Sequence, residues 1–215
     1  DDAPLVFGGY GVDAPERGWD DFKGVDLKGK VAVFLVNDPD FHAQDGEEVA
    51  GTFGGRTMTY YGRWTYKFEE AARQGAIGAL IVHETPGAGY GWNVVESPGG
   101  ENYDVVRPED DITSLALQGW ISGETAETLF ASAGQDLAEL SIAARRRNFK
   151  PVDLDTTFSA SFPVKSDVVQ SQNVLAKISG TSKPDESIIY GAHWDAYGEG
   201  EPDEQGRIYR AGAND

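Results

Sequence analysis

His193, Trp194 and Asp195 close the apolar run Ser187-Ile188-Ile189-Tyr190-Gly191-Ala192, and Ala211-Gly212-Ala213-Asn214-Asp215 brings a further carboxylate. Successive side chains of a strand alternate between its two faces, so an imidazole and a carboxylate at i and i+2 share one face. Imidazole and carboxylate are both metal-ligating groups. His193, Asp195 and Asp215 therefore read as the opening half of a metal site.

The elements that must position them follow from periodicity. Lys30-Val31-Ala32-Val33-Phe34-Leu35-Val36 reads as a buried strand, closed by the turn residues Asn37-Asp38-Pro39-Asp40. Leu5 to Val12 is apolar with glycines, and residues 41–60 read as a polar loop with short strand pieces. Arg63 to Gln74 has Trp64, Phe68, Ala71 and Ala72 at helical spacing, and Gly75 suits the left-handed position that ends a helix. Ala76 to Val82 follows directly as a strand, and helix, glycine, strand in succession marks an α/β unit. After a long Gly- and Pro-rich excursion over 84–111, Ile112 to Ile121 reads as a strand. Ser122 is a fitting N-cap for a helix ending at Gly134, and Asp136 to Arg146 reads as a short helix with Leu137, Leu140 and Ala144 on one face. Lys150-Pro151 breaks the helical pattern, and Thr156–Val164, Asn173–Ile178 and Ser187–Tyr190 then read as strands.

Composition bounds the function. The 215 residues carry a net charge of −18 and are 40% hydrophobic with five Trp, enough for a real core. Such acidity argues against binding a nucleic-acid backbone, which takes clustered Lys and Arg. The single basic run, Arg145-Arg146-Arg147, fits cations at a helix C-terminus better than a binding patch. No stretch reaches the roughly 18–20 apolar residues of a membrane span. Absence of Cys excludes a disulfide scaffold. His42 and His83 read as ordinary residues. The acids Glu199, Glu201, Asp203 and Glu204 lack the ordered spacing of an EF-hand and read as a solvated loop rather than a Ca²⁺ site. Tyr60, Tyr61 and Trp64 could line a groove for peptide side chains, although core packing of the helix explains Trp64 better.

Two regions resemble one known arrangement. Gly9-Tyr10-Gly11, Asp20-Asp21-Phe22, Leu27-Lys28-Gly29-Lys30-Val31-Ala32-Val33 and Arg63-Trp64-Thr65-Tyr66-Lys67-Phe68-Glu69-Glu70-Ala71-Ala72-Arg73-Gln74-Gly75-Ala76 resemble the protease-associated (PA) domain. Gln172-Asn173-Val174-Leu175-Ala176-Lys177-Ile178-Ser179-Gly180, Gly191-Ala192-His193-Trp194-Asp195 and Gly212-Ala213-Asn214-Asp215 resemble the first strands of the co-catalytic zinc aminopeptidases, the family that includes transferrin receptor and glutamate carboxypeptidase.

The resemblance implies an α+β chain. Residues 1–149 would form a PA-type β-sandwich or open barrel with flanking helices, and 150–215 the first strands of a truncated α/β zinc-exopeptidase domain. It implies that His193 binds one zinc, that Asp215 bridges two, and that Asp195 orients the histidine. The parent would hydrolyse N-terminal peptide bonds, with the PA domain covering the site and restricting or docking substrate. The remaining ligands and a glutamate general base would lie in the rest of the catalytic domain, so this chain alone is expected to be inactive and to hold zinc weakly or not at all. The partners implied are a peptide or protein substrate and the remainder of the catalytic domain, with no nucleic acid and no membrane span; the oligomeric state stays open. Secretion or a periplasmic location rests on the resemblance alone. The competing expectation is a non-catalytic PA-type module that binds protein or peptide.

Overall fold

The computed structural model describes residues 2–96, 102–108, 111–193 and 204–207. They fall in two compact units, Asp1–Ser161 and Phe162–Asp215. The first unit contains strands β1 (Ala3–Phe7), β2 (Asp13–Ala14), β3 (Trp19–Asp20) and β4 (Val31–Leu35), then helix α1 (Trp64–Arg73) and strand β5 (Gly78–Val82). Helices α2 (Thr85–Ala88) and α3 (Trp92–Glu96), strand β6 (Leu117–Ile121), helices α4 (Gly123–Ser132) and α5 (Leu137–Ala143) and strand β7 (Val152–Phe158) complete it.

Five strands form one mixed sheet in the order β6-β5-β4-β1-β7. The first four run parallel, with Val33 opposite Leu80 and Leu5 opposite Val31. β7 is antiparallel to β1. β2 and β3 make a separate two-stranded ribbon. The architecture is mixed α and β, as expected.

β4 and β5 read as unbroken apolar runs because both of their faces are covered. Val31, Val33, Leu80 and Val82 point to one core, shared with Phe7, Ala126, Phe130, Ala144 and Leu154. Ala32, Phe34, Ala79 and Ile81 point to the other, shared with Val6, Phe68 and Ala71. Alternation along each strand thus splits the core into two layers. Phe7 joins Phe130 and Phe149 edge to face at centroid distances of 5.1 and 5.8 Å.

Gly9-Tyr10-Gly11 turns the chain at the end of β1. Gly9 and Gly11 have φ of +60° and +64°, and a Cβ at Gly11 would fall 2.6 Å from the Phe34 ring. A side chain there would meet both backbone strain and a clash.

Helices α1, α4 and α5 start and stop close to where the sequence indicates, whereas α2 and α3 lie within the 84–111 excursion, where no helix was expected. Ser122 Oγ accepts from Thr125 N–H, and Asp136 accepts from Glu139 N–H. Gly75 and Gly134 leave their helices at φ of +84° and +70°. Other expectations need correction. Residues 41–59 contain no strand piece and form a chain of turns. β6 begins only at Leu117; residues 112–113 form a turn, with Asp111 accepting from Thr113 N–H and Oγ1, and 114–116 are not strand. β7 starts earlier than the expected strand over Thr156–Val164 and pairs with β1 in the first unit.

In the second unit, the described residues contain neither strand nor helix, and all of them are exposed. The expected strands Asn173–Ile178 and Ser187–Tyr190 do not form. Their alternating apolar side chains have no partner strand among the described residues, and Ile178 is 99% exposed. Lys183 pairs with Glu186 across the turn between them.

Candidate functional site

Of the three residues expected to meet zinc, His193 is described and lies exposed in the second unit. Asp195 and Asp215 lie outside the described residues, as do Glu199, Glu201 and Asp203; Glu204 is exposed in a turn. Among the described residues, no group of three or more His, Cys, Asp or Glu is placed to hold a metal.

The first unit gathers its buried polar groups where β1, β4 and β5 end. In parallel sheets, ligands bind outside the carboxyl ends of the strands. Lys67 is the hub. It sits on α1 with no exposure, and its Nζ donates to the carbonyls of Tyr10 (2.6 Å), Asn37 (3.0 Å) and Tyr61 (3.3 Å). One ammonium thus ties the exits of β1 and β4 to the turn that precedes α1. Burial pulls the Lys67 pKa down to about 8, against the opposing pull of the Asp38 and Asp21 carboxylates.

Sequence reading missed this residue. Position 67 lies between Trp64 and Ala71 on the apolar stripe, and a charge at such a position was the available signal. Trp64 was expected in the core, yet it is 44% exposed. The buried face of α1 is Tyr66, Lys67, Phe68, Glu70 and Ala71, turned so that the amine reaches its three carbonyls. Glu70, also buried, pairs with Arg73 at 2.8 Å.

Asp21 is fully buried. Val12 N–H donates to its Oδ2 at 3.1 Å and Trp19 Nε1–H to its Oδ1 at 2.8 Å. Burial pushes its pKa up to about 7, opposed by those two hydrogen bonds and by Lys67 and Lys23. Between about pH 4 and 7 the folded chain then holds a proton that the unfolded chain has released. The Asp21 contribution is full below about pH 4 and is lost as pH rises through 7, an effect on the order of 4 kcal/mol. Asp21→Asn should remove this falling limb from the pH profile of urea stability, besides a constant loss from turning an amide NH₂ toward one of the two donors. Parallel pH profiles for the wild type and the variant would contradict the assignment.

The long connection from β4 to α1 is held by carboxylates. Asp38 accepts from Thr59 N–H at 2.6 Å and from Thr59 Oγ1 at 2.7 Å. Asp40 Oδ2 accepts from Phe53 N–H at 2.8 Å and Gly55 N–H at 3.1 Å. Asn37, at φ +71°, donates from Nδ2 to the Gly87 carbonyl. Arg145 makes a two-pronged pair with Glu47, at 2.9 and 3.0 Å, and Arg147 pairs with Glu48. Arg145 and Arg147 thus fasten this loop to the segment after α5, which is more than the helix-terminal role expected of the basic run.

His42 Nε2 lies 2.7 Å from Glu84 Oε2, on a half-exposed pair that joins the β4 loop to the end of β5. His83 is buried, with Nε2 3.0 Å from the Tyr90 carbonyl and the rings of Tyr90, Trp92 and Trp120 around it. Tyr60 is 56% exposed beside Tyr61, and Arg17 packs over the Tyr61 ring. No helix among the described residues is long and apolar enough to cross a membrane. No family model matches the chain, and comparison with curated proteins and with solved structures also returns no match.

Proposed function

We propose that this chain is the PA-type domain and the first catalytic segment of a zinc-dependent aminopeptidase. The observation that carries the reading is the sequence set His193-Trp194-Asp195 and Gly212-Ala213-Asn214-Asp215, placed after the segment that supplies β4, α1 and β5. The strand–helix–strand order of that segment supports it, as does the glycine turn at Gly9-Tyr10-Gly11.

The donors fit zinc in kind. His193 would offer a neutral imidazole nitrogen to a zinc ion, Asp195 would orient that imidazole, and Asp215 would supply a directly bound carboxylate. When bound, a zinc pair supplies a water acidic enough to act as nucleophile near neutral pH. One imidazole and one directly bound carboxylate are too few for a stable site, so this chain by itself is inactive. The further ligands and the general base belong to the rest of the catalytic domain, which is also the partner that the exposed apolar residues of the second unit require. Substrates are peptides with a free N-terminus, met outside the cell or in a periplasm.

The exposed side chains of Tyr60 and Trp64 favour a second reading, a non-catalytic PA-type module that docks peptides. The two readings part on zinc. Chelation should silence peptide hydrolysis by the full-length protein, and added Zn²⁺ should restore it. Saturable peptide binding in chelator, with no turnover in zinc, would instead establish the module.

A further inference from the structure

Asp45-Gly46 is the one Asp-Gly pair in the sequence, and it forms the tip of a turn in the connection from β4 to α1. Glu47 N–H donates to the Gln44 carbonyl at 3.0 Å, and Gly46 has φ +90° while Asp45 has no positive φ, the pattern of a type II turn. Both ends of the turn are fixed through Glu47. Its Oε1 accepts from Gln44 N–H at 3.2 Å and from Arg145 Nη2 at 3.0 Å, and its Oε2 accepts from Arg145 Nε at 2.9 Å. The tip is bare. Asp45 and Gly46 are exposed, and among the described residues nothing bonds the Asp45 carboxyl group or the Gly46 N–H. A Cβ added at Gly46 would have no atom within 4 Å. A carboxyl carbon thus sits one peptide unit from an unshielded, unbonded backbone nitrogen.

We propose that Asp45-Gly46 is a self-modification site, at which Asp45 converts to isoaspartate and slackens the clamp between Glu47 and Arg145. The Gly46 nitrogen attacks Asp45 Cγ. A C–N bond forms, the C–OH bond of the protonated carboxyl group breaks, and the amide proton leaves with the hydroxyl as water. Water then opens the cyclic imide. Opening at Cγ restores Asp45. Opening at the main-chain carbonyl carbon leaves the chain running through Cβ and Cγ, with the former main-chain carboxylate as the side group. Atoms and charge balance, and water is the only co-reactant. Ring closure needs the Asp45–Gly46 peptide plane to turn, and glycine, with no Cβ, permits that rotation and leaves its nitrogen open to attack. The product has one more backbone carbon between Gln44 and Glu47. The turn that brings Gln44 N–H and Arg145 onto one carboxylate then no longer has its length. This site does not depend on the zinc assignment.

The test ages the folded wild-type chain near neutral pH beside the Asp45→Glu variant. Glutamate keeps the charge at the exposed tip but would have to close a larger ring, a slower reaction. Peptide mapping of the wild type should find isoaspartate at position 45, formed through an intermediate lighter by one water. Labelling by an isoaspartyl methyltransferase should rise with age in the wild type and stay at its starting level in D45E. Hydrogen exchange at the Glu47 amide and the Arg145 Nε–H should become about tenfold faster in the aged wild type, the weight of one hydrogen bond to a charged group. A folded wild type that forms no isoaspartate at position 45 would overturn the proposal. So would isoaspartate there with unchanged exchange at Glu47 and Arg145, or equal labelling of D45E, which would place the reacting residue elsewhere.

Discussion

Replacing His193 with alanine in the full-length protein is expected to lower aminopeptidase turnover by at least about 10³-fold, roughly 4 kcal/mol of transition-state stabilisation. On the proposed reading the imidazole would supply one of the few protein bonds to a zinc ion, and a methyl group would supply none. Metal analysis should show less than the full zinc complement in the same preparation. Asp195→Asn should do less, about 10–100-fold in zinc affinity, because it leaves the ligand in place and disturbs only its orientation. That ordering separates a ligand from an orienting residue, and equal losses at the two positions would contradict the roles assigned. The fold of the first unit should be untouched, since His193 is exposed in the second unit. A turnover loss accompanied by unfolding of the first unit would therefore have another cause.

Lys67→Met should destabilise the first unit by about 3–5 kcal/mol, a large share of the stability of an ordinary domain. A methionine has a similar unbranched stem, but it leaves the Tyr10, Asn37 and Tyr61 carbonyls without their shared donor. It also leaves the buried Asp38 and Asp21 carboxyl groups without the neighbouring charge that opposes the upward push of burial on their pKa values. Lys67→Arg should not rescue, because a broad guanidinium does not fit where one ammonium converges on three oxygens. The pH dependence gives a signature. With the Lys67 pKa lowered to about 8, the unfolded chain holds a proton between about pH 8 and 10.5 that the folded chain has released. Wild-type stability should therefore rise with pH over that window relative to Lys67→Met. Urea melts at pH 7.5 and 10 would measure both effects. A loss under 1 kcal/mol would mean that water replaces the amine at little cost.

The parts of this fold that could be read from sequence are those in which one period dominates. The apolar run through Val31–Leu35, the helix closed by Gly75 and the run through Gly78–Val82 each satisfy a single pattern, and both sheet faces are covered there. The N-caps Ser122 and Asp136 are local in the same way. The polar interior was not legible, because its bonds join distant residues: Lys67 reaches back to Tyr10, Asp40 reaches forward to Phe53, and Arg145 reaches back to Glu47. No local pattern encodes such pairings. Lys67 was also hidden by its type, since a lysine on an apolar stripe is normally assigned to the helix surface. At Asn173–Ile178 alternation was present, but alternation specifies a face and not the neighbouring strand that the face requires. Of the candidate zinc set, the residue types and spacing were legible, while of the three only His193 is among the described residues.

The most direct test of the zinc aminopeptidase reading is a zinc titration of metal-free full-length protein, followed by turnover of a peptide with a free N-terminus. The account predicts no turnover without metal and full turnover at two equivalents of zinc per chain. Full turnover in the metal-free protein, or none at saturating zinc, would contradict it.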